Sequence, residues 1–170
     1  MSDMIVVNGQ KIKFYRTANK WICFFPNPFG PNWKYILAED VAYQTDLRPA
    51  KEKRVYKGPV GSRRLLAKLT ITGLLYIYAG YAWDGPSGPT FDTDNFMRGS
   101  LIHDVLYQMM RNALLPINPS KEIADRILQK ICIEDGMSAF RAGYVYWGVH
   151  IGGVGACKPG PEIYDDVFTN

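Results

Sequence analysis

The sequence predicts an α+β fold in which an antiparallel β-rich part precedes three helices. Residues 1–92 place short apolar runs between Gly and Pro turns, whereas residues 93–153 repeat apolar side chains at helical spacing. A chain of 170 residues with 47% hydrophobic content can bury one full core, but it is short for two. We therefore expect a single domain, residues 1–170, which ends in a polar tail at residues 154–170.

The β-rich part opens with a predicted hairpin. Asn8 and Gly9 separate two short apolar or alternating runs, which is the composition of a tight hairpin turn. Aromatic and β-branched residues at 20–26 and 34–44 predict further strands. The long apolar run 65–83 indicates two strands broken near Gly73 or one bent strand, and a buried helix is the competing interpretation.

Three helices are predicted after the Pro- and Gly-rich loop 84–89, which is stiff and exposes backbone carbonyls. We expect Asp92 or Asp94 to cap the first helix. The second helix opens at residues 118–120 with Pro in its first turn and closes at Gly136. The third runs from Ser138 to about Gly152, and its many glycines favour close packing against the neighbouring helices. The first helix repeats apolar residues every four positions, at Met97, Leu101, Val105 and Met109.

Charge in this chain is concentrated in residues 48–68, where Glu52 is the only acid. This basic stretch is typical of a solvated hairpin, and the alternative is a surface for an anionic partner such as phospholipid headgroups. It lacks an aromatic-rich nucleic-acid motif, so we do not expect nucleic acid as a partner. The basic residues are Arg48, Lys51, Lys53, Arg54, Lys57, Arg63, Arg64 and Lys68.

Cysteine use and hydropathy indicate a protein made in a reducing cytoplasm. Cys23, Cys132 and Cys157 are an odd number without a CxxC spacing, so we expect free thiols that serve in packing. The N-terminal residues lack the long apolar core of a secretion signal. Of the two most apolar windows, 71–83 is too short to cross a bilayer as a helix, and 139–157 is interrupted by Arg141 and His150.

The candidate site lies on the first two helices. His103 and Tyr107 are four residues apart and share one stripe, while Asp104 is rotated by about 100°. Leu114, near the predicted turn, lies eleven residues after His103 and eleven before Asp125. An antiparallel return therefore brings Asp125 level with His103, where it can fix the imidazole as a general base and accept the Tyr107 hydroxyl.

A cation site is predicted beside this base. Asp104 would remain available to a hard cation such as Ca²⁺, which prefers carboxylate and carbonyl oxygens. The stiff loop that begins with Asp84 and Gly85 would supply further oxygens. Asp84 as a turn-former that caps backbone amides is the alternative interpretation. His150, among Tyr and Trp residues of the third helix, is expected to be a core or interface histidine.

The order HDVLY on one helix and ADR on the next resembles the secreted, prokaryotic and parvoviral phospholipases A2 over residues 81–130. That resemblance implies His103 as the base, Asp104 as the calcium ligand, and Tyr107 with Asp125 as the network that orients the base. The chain lacks the disulfides typical of the secreted enzymes. Its WDGPSGP segment also differs from their usual calcium loop.

A second resemblance covers more of the chain. The β-rich front, the loop GYAWDGPSGP, the helix SLIHDVLYQ and the ADRI helix are similar to a family of small uncharacterised proteins of tailed phages and prophages. Asp84, Gly85 and Ser87 match that family's Asp-Gly-x-Ser-x-Pro loop. The resemblance implies a viral source, synthesis in the host cytoplasm and a fold, but it implies no reaction.

Three functional classes follow from these observations. The first is a calcium-dependent ester hydrolase acting on phospholipid. The second is a non-catalytic virion or tail component that docks onto other phage proteins, with packaging in the particle. The third is a hydrolase of the bacterial envelope that uses another metal, although one histidine in the cluster disfavours zinc. Its ligands would be Asp84, His103, Asp104 and Asp125.

Overall fold

The computed structural model describes residues 2–7, 10–16, 34–57, 63–85 and 93–159. Within these residues the chain forms two antiparallel β-sheets followed by three α-helices, which confirms the predicted α+β class. The strands are β1 (Ser2–Val7), β2 (Gln10–Arg16), β3 (Tyr35–Leu37), β4 (Val41–Gln44), β5 (Lys53–Lys57), β6 (Arg64–Leu69), β7 (Leu74–Ile77) and β8 (Ala82–Trp83). The helices are α1 (Asp94–Arg111), α2 (Ile117–Glu134) and α3 (Ala139–Gly152), followed by a short 3-10 helix at Gly155–Cys157.

The two sheets have strand orders β1-β2-β3-β8 and β4-β7-β6-β5. Val7 pairs with Gln10, so β1 and β2 pair antiparallel as predicted, while the turn residues Asn8 and Gly9 lie outside the described residues. The run 65–83 forms separate strands on either side of Gly73, and the helical interpretation of this run is wrong. The strand predicted at 20–26 and most of the loop 84–89 lie outside the described residues.

Gly73 occupies a position that other residues would strain. Its φ of 80° is in the left-handed region, and an added Cβ would overlap the carbonyl oxygens of Thr45 and Leu47. The same backbone is tied to β4, because the Gly73 carbonyl accepts hydrogen bonds from the Thr45 amide and hydroxyl, both at 2.8 Å. Glycine is therefore required for the close approach of the β6–β7 turn to the end of β4.

An aromatic cluster joins the first sheet to the helical part. The ring centroid of Phe14 lies 5.3 Å from that of Tyr35 and 5.9 Å from that of Trp83, and both contacts are edge-on. Aromatic pairs favour this arrangement. These rings belong to one contiguous apolar cluster with side chains of both sheets, α1 and α2. The β-sheets therefore pack on the helical hairpin through a shared core.

Helix α1 is the central element, since 13 of its 18 residues are buried. Thr93 occupies its N-cap position without a side-chain cap hydrogen bond, so the expected cap by Asp94 is wrong, and Asp94 instead lies in the first turn. Asp92 lies outside the described residues. At the far end of the hairpin, buried Arg98 donates to Asp135 at 2.7 Å and to Glu134 at 2.8 Å. This ion pair holds the start of α1 against the end of α2.

Helix α3 differs from its sequence-based expectation. Ser138 caps it as predicted, by accepting a hydrogen bond from the Arg141 amide. Its glycines do not serve close packing as a group, because a Cβ built on Gly143 or Gly148 meets no atom within 4 Å. Among the described residues, none of the helices is long and apolar enough to span a bilayer.

Replacing Gly73 by Ala should destabilise the fold more than replacing Gly136 by Ala. Both glycines have φ near 80–88°, so alanine at either costs about 1 kcal/mol in backbone strain. Only Gly73 is also enclosed by carbonyl oxygens, whereas a Cβ on Gly136 meets open space. In urea denaturation we expect the free energy of unfolding to fall by about 2–4 kcal/mol in Gly73→Ala and by about 1 kcal/mol in Gly136→Ala. Equal losses would contradict the steric argument.

Candidate functional site

The site is built around Asp125, whose side chain is fully buried on α2. His103 and Tyr107 project toward it from successive turns of α1. The Tyr107 hydroxyl donates to Asp125 Oδ1 at 2.7 Å, and His103 Nε2 lies 3.1 Å from the same oxygen. The structure thus brings together the three residues that the hairpin geometry predicted.

Lys121 is a member of the cluster that the sequence reasoning missed. It is 8% exposed, and its Nζ donates to Asp125 Oδ2 at 2.7 Å. The same ammonium donates to the carbonyl oxygens of Val149 at 3.2 Å and His150 at 2.9 Å, near the end of α3. Its spacing of four residues before Asp125 was the available signal, because such pairs share one helix face.

His150 also reaches the cluster, from α3. Its Nδ1 lies 3.4 Å from Asp125 Oδ2 and 3.3 Å from Glu122 Oε2, and its ring stacks on Tyr146. The sequence contains two histidines, so both of them approach the same carboxylate. Asp125 consequently joins all three helices of the described chain.

The electrostatics of the cluster favour the ionised form of Asp125. Burial raises the pKa of this carboxyl, but hydrogen bonds from His103, Lys121 and Tyr107 outweigh burial and hold it below its usual value. Burial lowers the pKa of His103, but the interactions of this ring with Asp104 and Asp125 outweigh burial and raise the pKa above its usual value. Burial and the bond to Asp125 raise the pKa of Tyr107, which keeps it a donor.

The second ring nitrogen of His103 faces Asp104. Nδ1 lies 3.6 Å from Asp104 Oδ1, and the Asp104 side chain is 29% exposed against 8% for His103. A hydrogen on Nε2 satisfies Asp125, which leaves Nδ1 for the more accessible side. The imidazole is therefore fixed through Nε2, and its Nδ1 faces the more exposed of the two carboxylates.

Asp84 and Gly85 follow β8, at the start of the predicted carbonyl loop. Burial and the charge of Asp104 raise the pKa of Asp84, so the two carboxylates lie close enough to interact. The Asp84 carboxylate accepts a hydrogen bond from the Lys34 backbone, whereas its buried Oδ1 has no hydrogen-bond partner among the described residues. Gly85 has a φ of 73°, and a Cβ there would come within 2.5 Å of the Tyr35 ring. Asp84 thus has one buried carboxylate oxygen that no described residue satisfies, and its carboxyl interacts electrostatically with Asp104.

These two carboxylates suit a hard cation in charge and donor type. A group of three or more His, Cys, Asp or Glu side chains placed for a metal is not found among the described residues. The carbonyl oxygens expected from residues 86–89 lie outside the described ranges. The described part of the chain therefore supplies two candidate ligands, Asp84 and Asp104.

Cysteines and basic residues outside the cluster have local roles. Cys132 and Cys157 are free and buried, and burial raises the pKa of the Cys132 thiol to about 12, as expected of a packing residue. In the basic stretch, Arg48 donates to the Thr45 and Leu47 carbonyls at 2.8 Å, and Arg64 to that of Ala79. Part of this basic stretch therefore supports the second sheet.

Comparison with protein-family models, curated proteins and solved structures found no match to this chain. The resemblances to phospholipases A2 and to tailed-phage proteins therefore stay predictions.

Replacing Lys121 by Met should destabilise the protein by about 3–5 kcal/mol, because it leaves a buried carboxylate without its cation. The double variant Lys121→Met/Asp125→Asn should lose less than the sum of the single losses, since it removes both charges. Lys130→Met, on the exposed face of α2, is the matched control and should change little. If the loss in free energy of unfolding of the double variant equals the sum of the two single losses, Lys121 and Asp125 are not coupled.

His103 should titrate above 6.5, the usual pKa of a histidine, in the folded protein. Because this pKa is raised on folding, its contribution to stability is complete below pH 6.5 and is lost as pH rises through the folded-state pKa. NMR titration measures it directly, with His150→Gln assigning the two imidazole signals. Denaturation at a series of pH values should show this loss in wild type but not in His103→Gln. A His103 pKa at or below 6.5 would contradict the dominance of the two carboxylates over burial.

Proposed function

We propose that this protein is an ester hydrolase in which His103 is the general base. The observation that carries the proposal is the fixed imidazole, with Nε2 held 3.1 Å from Asp125 and Nδ1 3.6 Å from the partly exposed carboxylate of Asp104. A base needs one nitrogen anchored and one accessible. Tyr107 and Lys121 support the anchor by fixing both oxygens of Asp125.

The proposed reaction uses this geometry. A water molecule at His103 Nδ1 gives its proton to the ring as its oxygen attacks the ester carbonyl. The resulting imidazolium is stabilised by Asp125 through the Nε2 hydrogen. When the tetrahedral intermediate collapses, the C–O bond to the alcohol breaks, and Nδ1 returns its proton to the departing alkoxide. The products are a carboxylic acid and an alcohol.

Asp104 and Asp84 are the residues that would hold a cation such as Ca²⁺. The buried, unpartnered Oδ1 of Asp84 and its proximity to Asp104 support this assignment. When bound, such an ion supplies positive charge for the oxyanion. Asp104 Oδ1 also lies 3.6 Å from His103 Nδ1, so the same side chain would bind the cation and adjoin the base.

The substrate class is proposed from the motif. The resemblance of HDVLY and ADR to phospholipases A2 favours a phospholipid ester over other esters. The Asp-Gly-x-Ser-x-Pro resemblance favours a tailed-phage origin, with synthesis in the host cytoplasm. Both belong to the proposal together with the hydrolase assignment.

A non-catalytic role in a phage particle is the second candidate. A specific observation favours it: Asp125 is satisfied by hydrogen bonds from three helix-borne side chains and lies between α1, α2 and α3. Such a network can hold a fold together without any reaction. The two candidates differ in turnover, which a direct assay measures.

His103→Gln should lower ester hydrolysis by about 10²–10⁴-fold while the thermal midpoint stays within a few degrees. Wild type is assayed on a soluble short-chain fluorogenic ester and on fluorogenic phospholipid, each with calcium or with chelator. Asp104→Asn should reduce activity with calcium toward the level seen with chelator. Asp94→Asn, exposed in the first turn of the same helix, is the matched control and should keep wild-type activity.

Two results would overturn this proposal. Folded wild type that hydrolyses no ester under any condition would favour the structural role in a phage particle. Turnover that persists in His103→Gln would assign the reaction to another group. If His103 is required but calcium and Asp104 are not, the base is retained and the cation site is rejected.

A further inference from the structure

The backbone at the end of α3 closes on the buried carboxylate cluster. Gly153 is the C-cap of this helix, and its amide donates to the Val149 carbonyl at 2.7 Å. The chain then forms a short 3-10 helix, in which the Ala156 carbonyl accepts a hydrogen bond from Arg111 at 3.1 Å. We call residues 153–157 the terminal turn. This turn is therefore tied to the end of α1 as well as to α3.

Gly153 lies directly against Tyr107. A Cβ built on Gly153 would be 2.5 Å from the Tyr107 hydroxyl oxygen and 3.1 Å from Cε1 of the same ring, and it would also overlap the Val149 carbonyl oxygen. The neighbouring Gly152 differs, because a Cβ there meets no atom within 4 Å. Residue 153, in contrast to residue 152, has to lack a side chain for the backbone to approach the ring this closely.

Tyr107 is enclosed on its other sides as well. The residue is 3% exposed, its ring centroid lies 3.9 Å from that of His103, and its hydroxyl donates to Asp125. Cys157, which is buried in the terminal turn, donates to the Gly153 carbonyl at 3.3 Å and adjoins the Tyr107 hydroxyl. A side chain at position 153 would therefore have to displace either the Tyr107 ring or the terminal turn.

The same approach of the backbone supports the second oxygen of the carboxylate. The Val149 carbonyl accepts hydrogen bonds from the Gly153 amide and from Lys121 Nζ, the latter at 3.2 Å. Lys121 in turn donates to Asp125 Oδ2, whereas Tyr107 donates to Oδ1. The end of α3 thus contacts groups that hold each of the two carboxylate oxygens.

We propose that Gly153 is a positioning residue for the His103 base. Because it has no side chain, the terminal turn closes on Tyr107 and holds its hydroxyl on Asp125, which in turn holds Nε2 of the imidazole. Gly153 acts through Tyr107 and contacts none of the reacting groups. This inference rests on the proposed hydrolase function and deepens it by naming the backbone position that sets the geometry of the base.

The first test compares Gly153→Ala with Gly152→Ala, a matched control that adds the same methyl group one residue earlier. On a soluble short-chain fluorogenic ester, Gly153→Ala should lower kcat by about 10–10²-fold and leave KM within about twofold, because it displaces the base without touching the substrate. Gly152→Ala should keep the wild-type kcat and KM.

A double-variant comparison separates positioning from general damage to the fold. Tyr107→Phe should lower kcat by itself, since it removes the hydroxyl that holds Asp125. Adding Gly153→Ala to Tyr107→Phe should then lower kcat by at most about threefold more, because the atom nearest to the new methyl group is already absent. Independent losses would multiply instead.

A spectroscopic measurement reads the geometry without turnover. In protein isotope-labelled at tyrosine Cζ, the NMR signal of Tyr107 is identified by its absence from Tyr107→Phe and reports on the hydrogen bond of the hydroxyl. This signal should shift in Gly153→Ala and stay at its wild-type position in Gly152→Ala. If wild type hydrolyses no ester, the proposed function fails, and the Tyr107 signal still decides whether Gly153 positions the cluster.

Three results would overturn the role of Gly153. One is an unmoved Tyr107 signal in folded Gly153→Ala, and another is an equal loss of kcat in the two alanine variants. The third concerns folding: if Gly153→Ala alone does not fold, Tyr107→Phe should restore folding by removing the overlapping hydroxyl. Failure to fold in both backgrounds would assign Gly153 to the packing of the helix end alone.

Discussion

The structure depends on how one buried carboxylate is satisfied. Asp125 has no exposed surface, and an isolated ionised carboxylate in that position would cost several kcal/mol. Its oxygens are held by Tyr107 and His103 from α1 and by Lys121 from its own helix. Because Lys121 also binds the backbone near the end of α3, the pairing of one charge fixes the relative positions of three helices.

The same interaction produces the asymmetry on which the proposed chemistry rests. Nε2 of His103 is held by Asp125, whereas Nδ1 faces the partly exposed Asp104. A histidine held by two equivalent partners would have no nitrogen left for a substrate water. The Asp84 carboxylate approaches Asp104 from a different part of the chain, after β8, and increases the negative charge beside the base.

Helix α3 packs on the protein with one face and exposes apolar side chains on the other. The carbonyl oxygens of Val149 and His150 accept hydrogen bonds from Lys121, and His150 Nδ1 lies 3.4 Å from Asp125 Oδ2. The inner face of α3 therefore contains polar as well as apolar contacts. The bulk of its aromatic surface remains outside, where it does not contribute to the core. The exposed apolar side chains of α3 therefore add less to the stability of the fold than buried ones would.

Much of the candidate site follows from local rules that a sequence contains. Four-residue spacing puts His103 and Tyr107 on one face, and equal distances from the hairpin turn bring Asp125 level with them. Asn8 and Gly9 likewise predict that the runs before and after them pair antiparallel, and Val7 does pair with Gln10. These features depend on helix pitch and turn geometry, which are the same in any protein.

By itself, then, the sequence determined the α+β order, the three helices and the meeting of His103, Tyr107 and Asp125. Only the tertiary structure decided that Lys121 also binds the α3 backbone and that His150 approaches Asp125, because those contacts require α3 to cross α2 at one particular place. It also decided which face of α3 is buried. That helix has apolar residues around its whole circumference, so periodicity cannot choose between Val145 and Trp147, and packing against α2 makes the choice.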